Sequence, residues 1–217
     1  MNSATRHLSL AGAAGAIDVA LDSPAGMPQG LAVIAHPHPL FGGTRDNKVV
    51  QTLARALLAL GHVCWRPDFR GVGESGGTHD EGRGETDDLL RVVEAARARA
   101  ADEGHPGLPL VLAGFSFGTF VQSQVAQRLR EAGAPASRLV FVGPAVSRFP
   151  LAPVPADTLV IHGELDDVVP LSAVFDWARP QELPIVVIPG ADHFFHRRLP
   201  LLKRIVMAGF GAPHETD

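Results

Sequence analysis

Apolar positions along the chain fall into short dense runs separated by longer stretches of helical spacing, and the two kinds alternate. Residues 5–10 and 16–21 read as two strands joined by a Gly-Ala turn, which predicts an antiparallel hairpin at a sheet edge. Residues 31–35 are uninterrupted apolar, as a strand covered on both faces requires. Residues 47–60 then place Val50, Leu53, Ala54, Leu57 and Leu58 at helical intervals, with Gly61 as the stop. The alternation continues with a strand at 63–66 and a helix at 85–101 that carries Leu89, Val92, Val93 and Ala96 on one face. Further strands are predicted at 110–113, 139–142, 158–162 and 185–188, and further helices at 119–132, 171–178 and 199–208. This is the α/β class: a mostly parallel sheet with helices on both faces, closed by crossover connections. In such sheets ligands bind beyond the carboxyl ends of the strands.

The 217 residues suit one domain over 1–217, since a second core would leave each half small. A net charge of −4 gives no electrostatic reason to expect a nucleic acid or a membrane as partner. The apolar stretch 11–17 is too short and too rich in small residues for a signal peptide or a span, so a cytoplasmic protein is the expectation. The single cysteine, Cys64, lies in an apolar run and is expected to be a packed core thiol. A monomer or small homo-oligomer is expected.

The chemistry begins at Gly114-Phe115-Ser116-Phe117-Gly118, between a predicted strand and a predicted helix. A G-x-S-x-G sequence in that setting is a nucleophile elbow: the turn strains the serine backbone, and the flanking glycines let helix and strand approach without collision. The Phe117 amide would then sit at a helix start, where an oxyanion would form. A serine hydroxyl is a weak nucleophile and needs a base held by a third group. Downstream, the strand at 158–162 runs into Gly163-Glu164-Leu165-Asp166-Asp167-Val168-Val169-Pro170. The strand at 185–188 runs into Pro189-Gly190-Ala191-Asp192-His193-Phe194-Phe195-His196. An acid and a histidine therefore each follow a successive strand.

Here the chain resembles the α/β-hydrolase superfamily, over residues 31–200. G-x-x-D-x-x-V-P and G-x-x-H are familiar there, and the match puts Asp166 on the acid and His193 on the base. Asp167 competes with Asp166, but spacing suits it better to capping the following turn; His196 competes with His193 but lies deeper in its loop. His-Pro-His-Pro at 36–39, Pro-Asp-Phe-Arg-Gly-Val-Gly-Glu-Ser at 67–75 and Ala-Asp-His-Phe-Phe at 191–195 look like small, lidless serine hydrolases related to dienelactone hydrolase. Relatives carry H-G-x-P where this chain has His36-Pro37-His38-Pro39; in them the x-Pro bond is cis and the amide of x is the second oxyanion donor. Prolines at 37 and 39 have no amide hydrogen, so His38 or Leu40 would donate, with His38 preferred.

The resemblance implies an esterase or thioesterase that cleaves small to medium acyl substrates through an acyl-enzyme and needs no cofactor. Only residues 143–157 separate two strands where many relatives insert a lid, so an open site is expected, with Leu40, Phe41, Phe115, Phe117, Phe149, Leu151 and Phe194 as apolar walls. The alternative is a catalytically inactive homologue that serves as a ligand-binding or scaffold protein. Two rival motifs are weaker. His36-x-His38 lacks the further ligands a metal needs. Gly71-x-Gly73-x-x-Gly76 imitates a dinucleotide loop, but more glycines delay the next helix to about Glu85. Instead Asp68 and Arg70 are expected to form local hydrogen bonds in a tight loop that buttresses the site. Glu85, Asp87 and Asp88 are read as solvated groups at a helix start, Arg91, Arg97 and Arg99 as an exposed face, and Trp65 and Trp177 as packing residues.

Overall fold

The computed structural model describes residues 5–210. Eight strands form one sheet in the order β1-β2-β4-β3-β5-β6-β7-β8. β1 (Arg6–Gly12) and β2 (Gly15–Asp22) make the expected hairpin at one edge, and β2 pairs antiparallel with β4 (His62–Pro67). The remaining pairings, through β3 (Gly30–Ala35), β5 (Leu110–Phe115), β6 (Arg138–Val142), β7 (Leu159–Gly163) and β8 (Ile185–Ile188), are all parallel.

Alternate residues of the central strands serve two cores, as period-two geometry demands. Leu31, Val33 and Ala35 face α2 (Arg83–Asp102) and α3 (Phe117–Glu131), while Ala32 and Ile34 face α1 (Lys48–Ala59) and α5 (Leu199–Ala208). Val174 of α4 (Leu171–Ala178) packs on Val160 and Val169. Cys64 is fully buried in the second core, and burial pushes its thiol well up from the ordinary value. Trp65 is buried and Trp177 partly buried, both in packed clusters.

Charged groups depart from the expectation at the start of α2. Glu85 has no exposed surface and Asp88 is buried; only Asp87 reaches solvent, where it pairs with Arg128. Glu85 accepts from the amides of Asp80 and Gly82 and binds His79 at 2.8 Å. Asp88 takes both Nε and Nη2 of Arg70, at 2.8 and 3.0 Å. These carboxylates are thus fasteners between loop and helix, because buried charge persists only when it is paired. Arg97 and Arg99 are half-buried; Arg97 donates to the Ala134 carbonyl and Arg99 pairs with Glu103.

The loop after β3 is anchored by His36, which has no exposed surface. Its Nδ1 lies 2.6 Å from the Pro37 carbonyl and its Nε2 accepts from the Phe69 amide at 2.9 Å, so the ring carries its proton on Nδ1. Both nitrogens are engaged, which leaves none to ligate a metal. No peptide bond among the described residues is cis, so His38–Pro39 departs from the relatives' pattern and is trans. The segment 71–76 is a turn-rich loop, and α2 begins only at Arg83. Asp68 accepts from the Arg45 amide there, and Ser75 donates to the Asp68 carbonyl.

Two outcomes follow. Burial pushes His36 from 6.5 down to about 4. A histidine that is harder to protonate when folded contributes stability present above 6.5 and lost progressively as pH falls toward 4. His36→Gln keeps one donor and one acceptor, so melting curves between pH 7.5 and 4.5 should show a shallower acid loss than wild type, the difference being on the order of 3 kcal/mol. A Cβ at Gly118 would lie 2.5 Å from the Ala35 carbonyl oxygen. Gly118→Ala should therefore destabilise by roughly 3 kcal/mol, lowering Tm by about 6–12 °C; an unchanged Tm would contradict this packing.

Candidate active site

Ser116 occupies the single position between the end of β5 and the start of α3. Its φ of 54° and ψ of −122° lie where side chains rarely go, so the turn holds the serine against its own preference. What holds it is the surrounding backbone. The Ser116 amide donates to the Val142 carbonyl at 3.0 Å, and Thr119 Oγ1 donates to the Ser116 carbonyl while accepting from the Ala145 amide. Gln122, fully buried in α3, donates to the carbonyls of Val33 and Ala113 and ties the helix to β3 and β5. A Cβ at Gly114 would lie 2.6 Å from the Gly118 carbonyl oxygen, which explains the glycine there as well.

His193 Nε2 lies 3.0 Å from Ser116 Oγ, and His193 Nδ1 lies 2.7 Å from Asp166 Oδ2. The structure thus joins the three residues singled out in the sequence, although they come from the ends of β5, β7 and β8. Gly143, at φ +55°, leaves space beneath the imidazole, since a Cβ there would lie 3.3 Å from His193 Cε1. Asp166 Oδ1 accepts from the amides of Val168 and Val169 at 2.9 and 2.7 Å. The turn-capping task expected of Asp167 therefore belongs to Asp166 itself, whose two oxygens are divided between turn and histidine. Asp167 is exposed. Burial would raise the Asp166 carboxyl, but the hydrogen bonds from His193 and Val169 outweigh it and hold the group below the ordinary carboxylate value. His196 is exposed and bonded to Asp192, away from the serine.

Behind the acid stands a residue the motifs did not flag. His162 has no exposed surface; its Nε2 donates to the Val169 carbonyl at 2.9 Å and lies 3.5 Å from Asp166 Oδ2. Burial pushes its pKa down, which favours the neutral ring beside the acid. An apolar strand ending in His-Gly was the available signal, but a strand-end histidine alone does not reveal which neighbour it meets.

On the opposite side, the loop after β3 folds into a single 3-10 turn, Pro39–Phe41. The amides of Phe41 and Gly43 donate to the His38 carbonyl, and that of Gly42 to Pro39. The Leu40 amide donates to His38 Nδ1 at 3.3 Å. The backbone amides of His38 and Phe117 have no acceptor among the described residues, so both remain free to bind an oxyanion.

The walls are more differentiated than expected. The His38 ring packs within 4.7 to 4.8 Å of Phe41, His79 and Phe117 and 5.8 Å from Phe149. Burial and the neighbouring His79 push its pKa down. Phe149 stacks on Phe120 and Leu151 packs on the same core. Phe117 is itself buried, as the hub of these rings. Phe115 is fully buried and supports His193 and Phe194 from below rather than facing a ligand. Leu40, Phe41 and Phe194 are exposed at the rim. β6 and β7 are joined without a helix, so nothing from that connection closes over the serine.

Comparison with known proteins agrees with this architecture. A lidless α/β serine hydrolase from Xanthomonas campestris is 36% identical, with a TM-score of 0.86 over 98% of this chain and 99% of that one. A dienelactone hydrolase from Anabaena variabilis superposes with a TM-score of 0.71 over 95% and 96% of the two chains, at 20% identity, which shows a shared fold alone. Rattus norvegicus lysophosphatidylserine lipase ABHD12 is 33% identical over 117 residues, 51% of this chain and 28% of that lipase. The chain therefore spans just over a quarter of that relative's length. No helix among the described residues is long and apolar enough to cross a membrane. The family model described as "Serine aminopeptidase, S33" matches residues 27–154, from before β3 to beyond β6. With most of its length matched to that model and its whole fold shared with the Xanthomonas enzyme, the chain belongs to the serine aminopeptidase S33 family of α/β serine hydrolases and has no lid among the described residues.

Proposed function

We propose that the protein hydrolyses carboxylic esters of small to medium acyl groups through Ser116, His193 and Asp166. The observation that carries this reading is the unbroken hydrogen-bonded run from Ser116 Oγ to Asp166, beside two amides without acceptors. His193 Nε2 takes the hydroxyl proton as Ser116 Oγ attacks the ester carbon. The carbonyl oxygen becomes an oxyanion between the amides of Phe117 and His38, while Asp166 stabilises the imidazolium. Collapse breaks the bond to the alcohol oxygen, which takes the proton from His193. Water, deprotonated by the same nitrogen, then attacks the acyl-enzyme and releases the carboxylic acid and Ser116.

The family description raises a second reading, cleavage after a free amino terminus. An aminopeptidase must fix its substrate's ammonium group, and a carboxylate is the usual partner. Three acidic groups on the loops around the site are committed: Asp166 to His193, Glu85 to His79 and two amides, Asp192 to His196. The aromatic wall around His38 favours apolar acyl groups instead. The relative named as a lipase supports the same choice.

Wild type should react with a fluorophosphonate probe and Ser116→Ala should not; an unlabelled wild type would establish the inactive-scaffold alternative. Asp166→Asn should keep the fold and lower kcat by about 10⁴-fold, because the histidine loses its orienting charge. Across a panel, p-nitrophenyl acetate to octanoate should be cleaved well ahead of aminoacyl anilides. The reverse order would replace the esterase reading by the aminopeptidase one.

A further inference from the structure

A groove of about 570 Å³ runs between the loop after β3 and the loop after β8. One wall is Gly42, Thr44 and the start of α1 at Lys48 and Val49; the other is Phe194, Arg197 and Leu199. We infer that this groove binds the alcohol portion of the ester and that Lys48 and Arg197 select alcohols bearing a carboxylate or phosphate. The inference rests on the esterase reading above.

Position gives the first reason. His193 must protonate the leaving oxygen, so the alcohol portion lies on the His193 side of the reacting carbonyl. The groove meets the site there: Phe194 follows His193 in sequence, its ring centroid 5.2 Å from that of the imidazole, and forms part of the groove wall. The acyl portion is left with the opposite, aromatic side around His38, Phe117 and Phe149.

Charge gives the second. Among the described residues neither Lys48 nor Arg197 has an ion-pair partner, and both line the groove from different elements. The other charged groups on these walls are occupied. Asp46 lies 3.6 Å from Arg66 and accepts from Gln51, and His196 is bonded to Asp192. An anion entering the groove therefore meets two cations without ion-pair partners among the described residues, beside the apolar surfaces of Phe194, Val49 and Leu199.

The backbone gives the third. Phe195 and Arg197 both adopt positive φ, 55° and 59°, conformations unfavourable for side chains with a Cβ. Buried Phe195 pins the loop into the core, and Asp192 holds it through the amides of Phe195 and His196. The loop that delivers the base is thus rigidly shaped to place Phe194 and Arg197 along the groove.

The test compares two chromogenic esters that differ only in leaving-group charge: 3-carboxy-4-nitrophenyl butyrate and its neutral 3-carbamoyl twin. Wild type should show the higher kcat/KM on the carboxylate ester, mainly through KM. The ratio should fall about 3- to 5-fold in Lys48→Gln and in Arg197→Gln, about tenfold in the double variant, and in wild type as salt is raised. Near-ultraviolet circular dichroism checks that the variants are folded. Turnover of both esters at equal efficiency, or a preference that survives in the double variant, overturns the groove assignment and leaves the esterase reading intact. Loss of turnover on both esters, with no fluorophosphonate labelling, removes the esterase reading instead. Calorimetric binding of the released phenol, 5-hydroxy-2-nitrobenzoate, reads the groove independently: wild type should bind it and the double variant should not, and equal binding by both overturns the proposal.

Discussion

Because α3 starts one residue after β5 ends, no loop is available to absorb the reversal of chain direction, and the whole bend falls on Ser116. That geometry exists only if the first turn of α3 lies against the backbones of β5 and β3. Glycine at 114 and 118 removes the side chains that would meet carbonyl oxygens there. Gln122 and Thr119 then replace side-chain packing by hydrogen bonds across the same contact. From this one approach follow the half-buried serine hydroxyl, the unengaged Phe117 amide and the height of both above the sheet. The parallel register of β6, β7 and β8 does the rest, setting the acid and base loops side by side.

Three of the buried histidines show how burial and hydrogen bonding give one residue type different tasks. His193 is held between a carboxylate and a hydroxyl, the arrangement in which a ring passes a proton back and forth. His36 and His162 each face a backbone carbonyl and are kept neutral by burial, so they act as fixed polar struts for the loops on either side of the serine. The charged Asp166 lies where such a strut meets the base.

Much of this was legible in the sequence because it is local or ordered. Hydrophobic periodicity located the eight strands and five α-helices of the described residues, and the elbow, acid and base each followed a strand in sequence order. What was not legible depended on partners distant along the chain. Glu85 and Asp88 look like ordinary helix-start carboxylates, and only His79 and Arg70 brought alongside show why they are buried. Asp166 and Asp167 are neighbours of one type, separated only by which of them turns inward. Phe115 reads as a pocket wall from its place beside Ser116, but strand alternation sends its ring beneath the base loop. Lys48 and Arg197, far apart in sequence, carry no motif at all.

The buried cysteine has a consequence for following the protein in solution. Cys64 is the only thiol in the chain, lies on β4 against α1, and has no exposed surface. A reagent reaches it only when the β4–α1 core opens, so its alkylation rate reports the frequency of that opening rather than surface fluctuation. Chemistry directed at the serine and chemistry directed at the thiol therefore read different properties of the same molecule: one the readiness of the site, the other the integrity of the sheet beneath it.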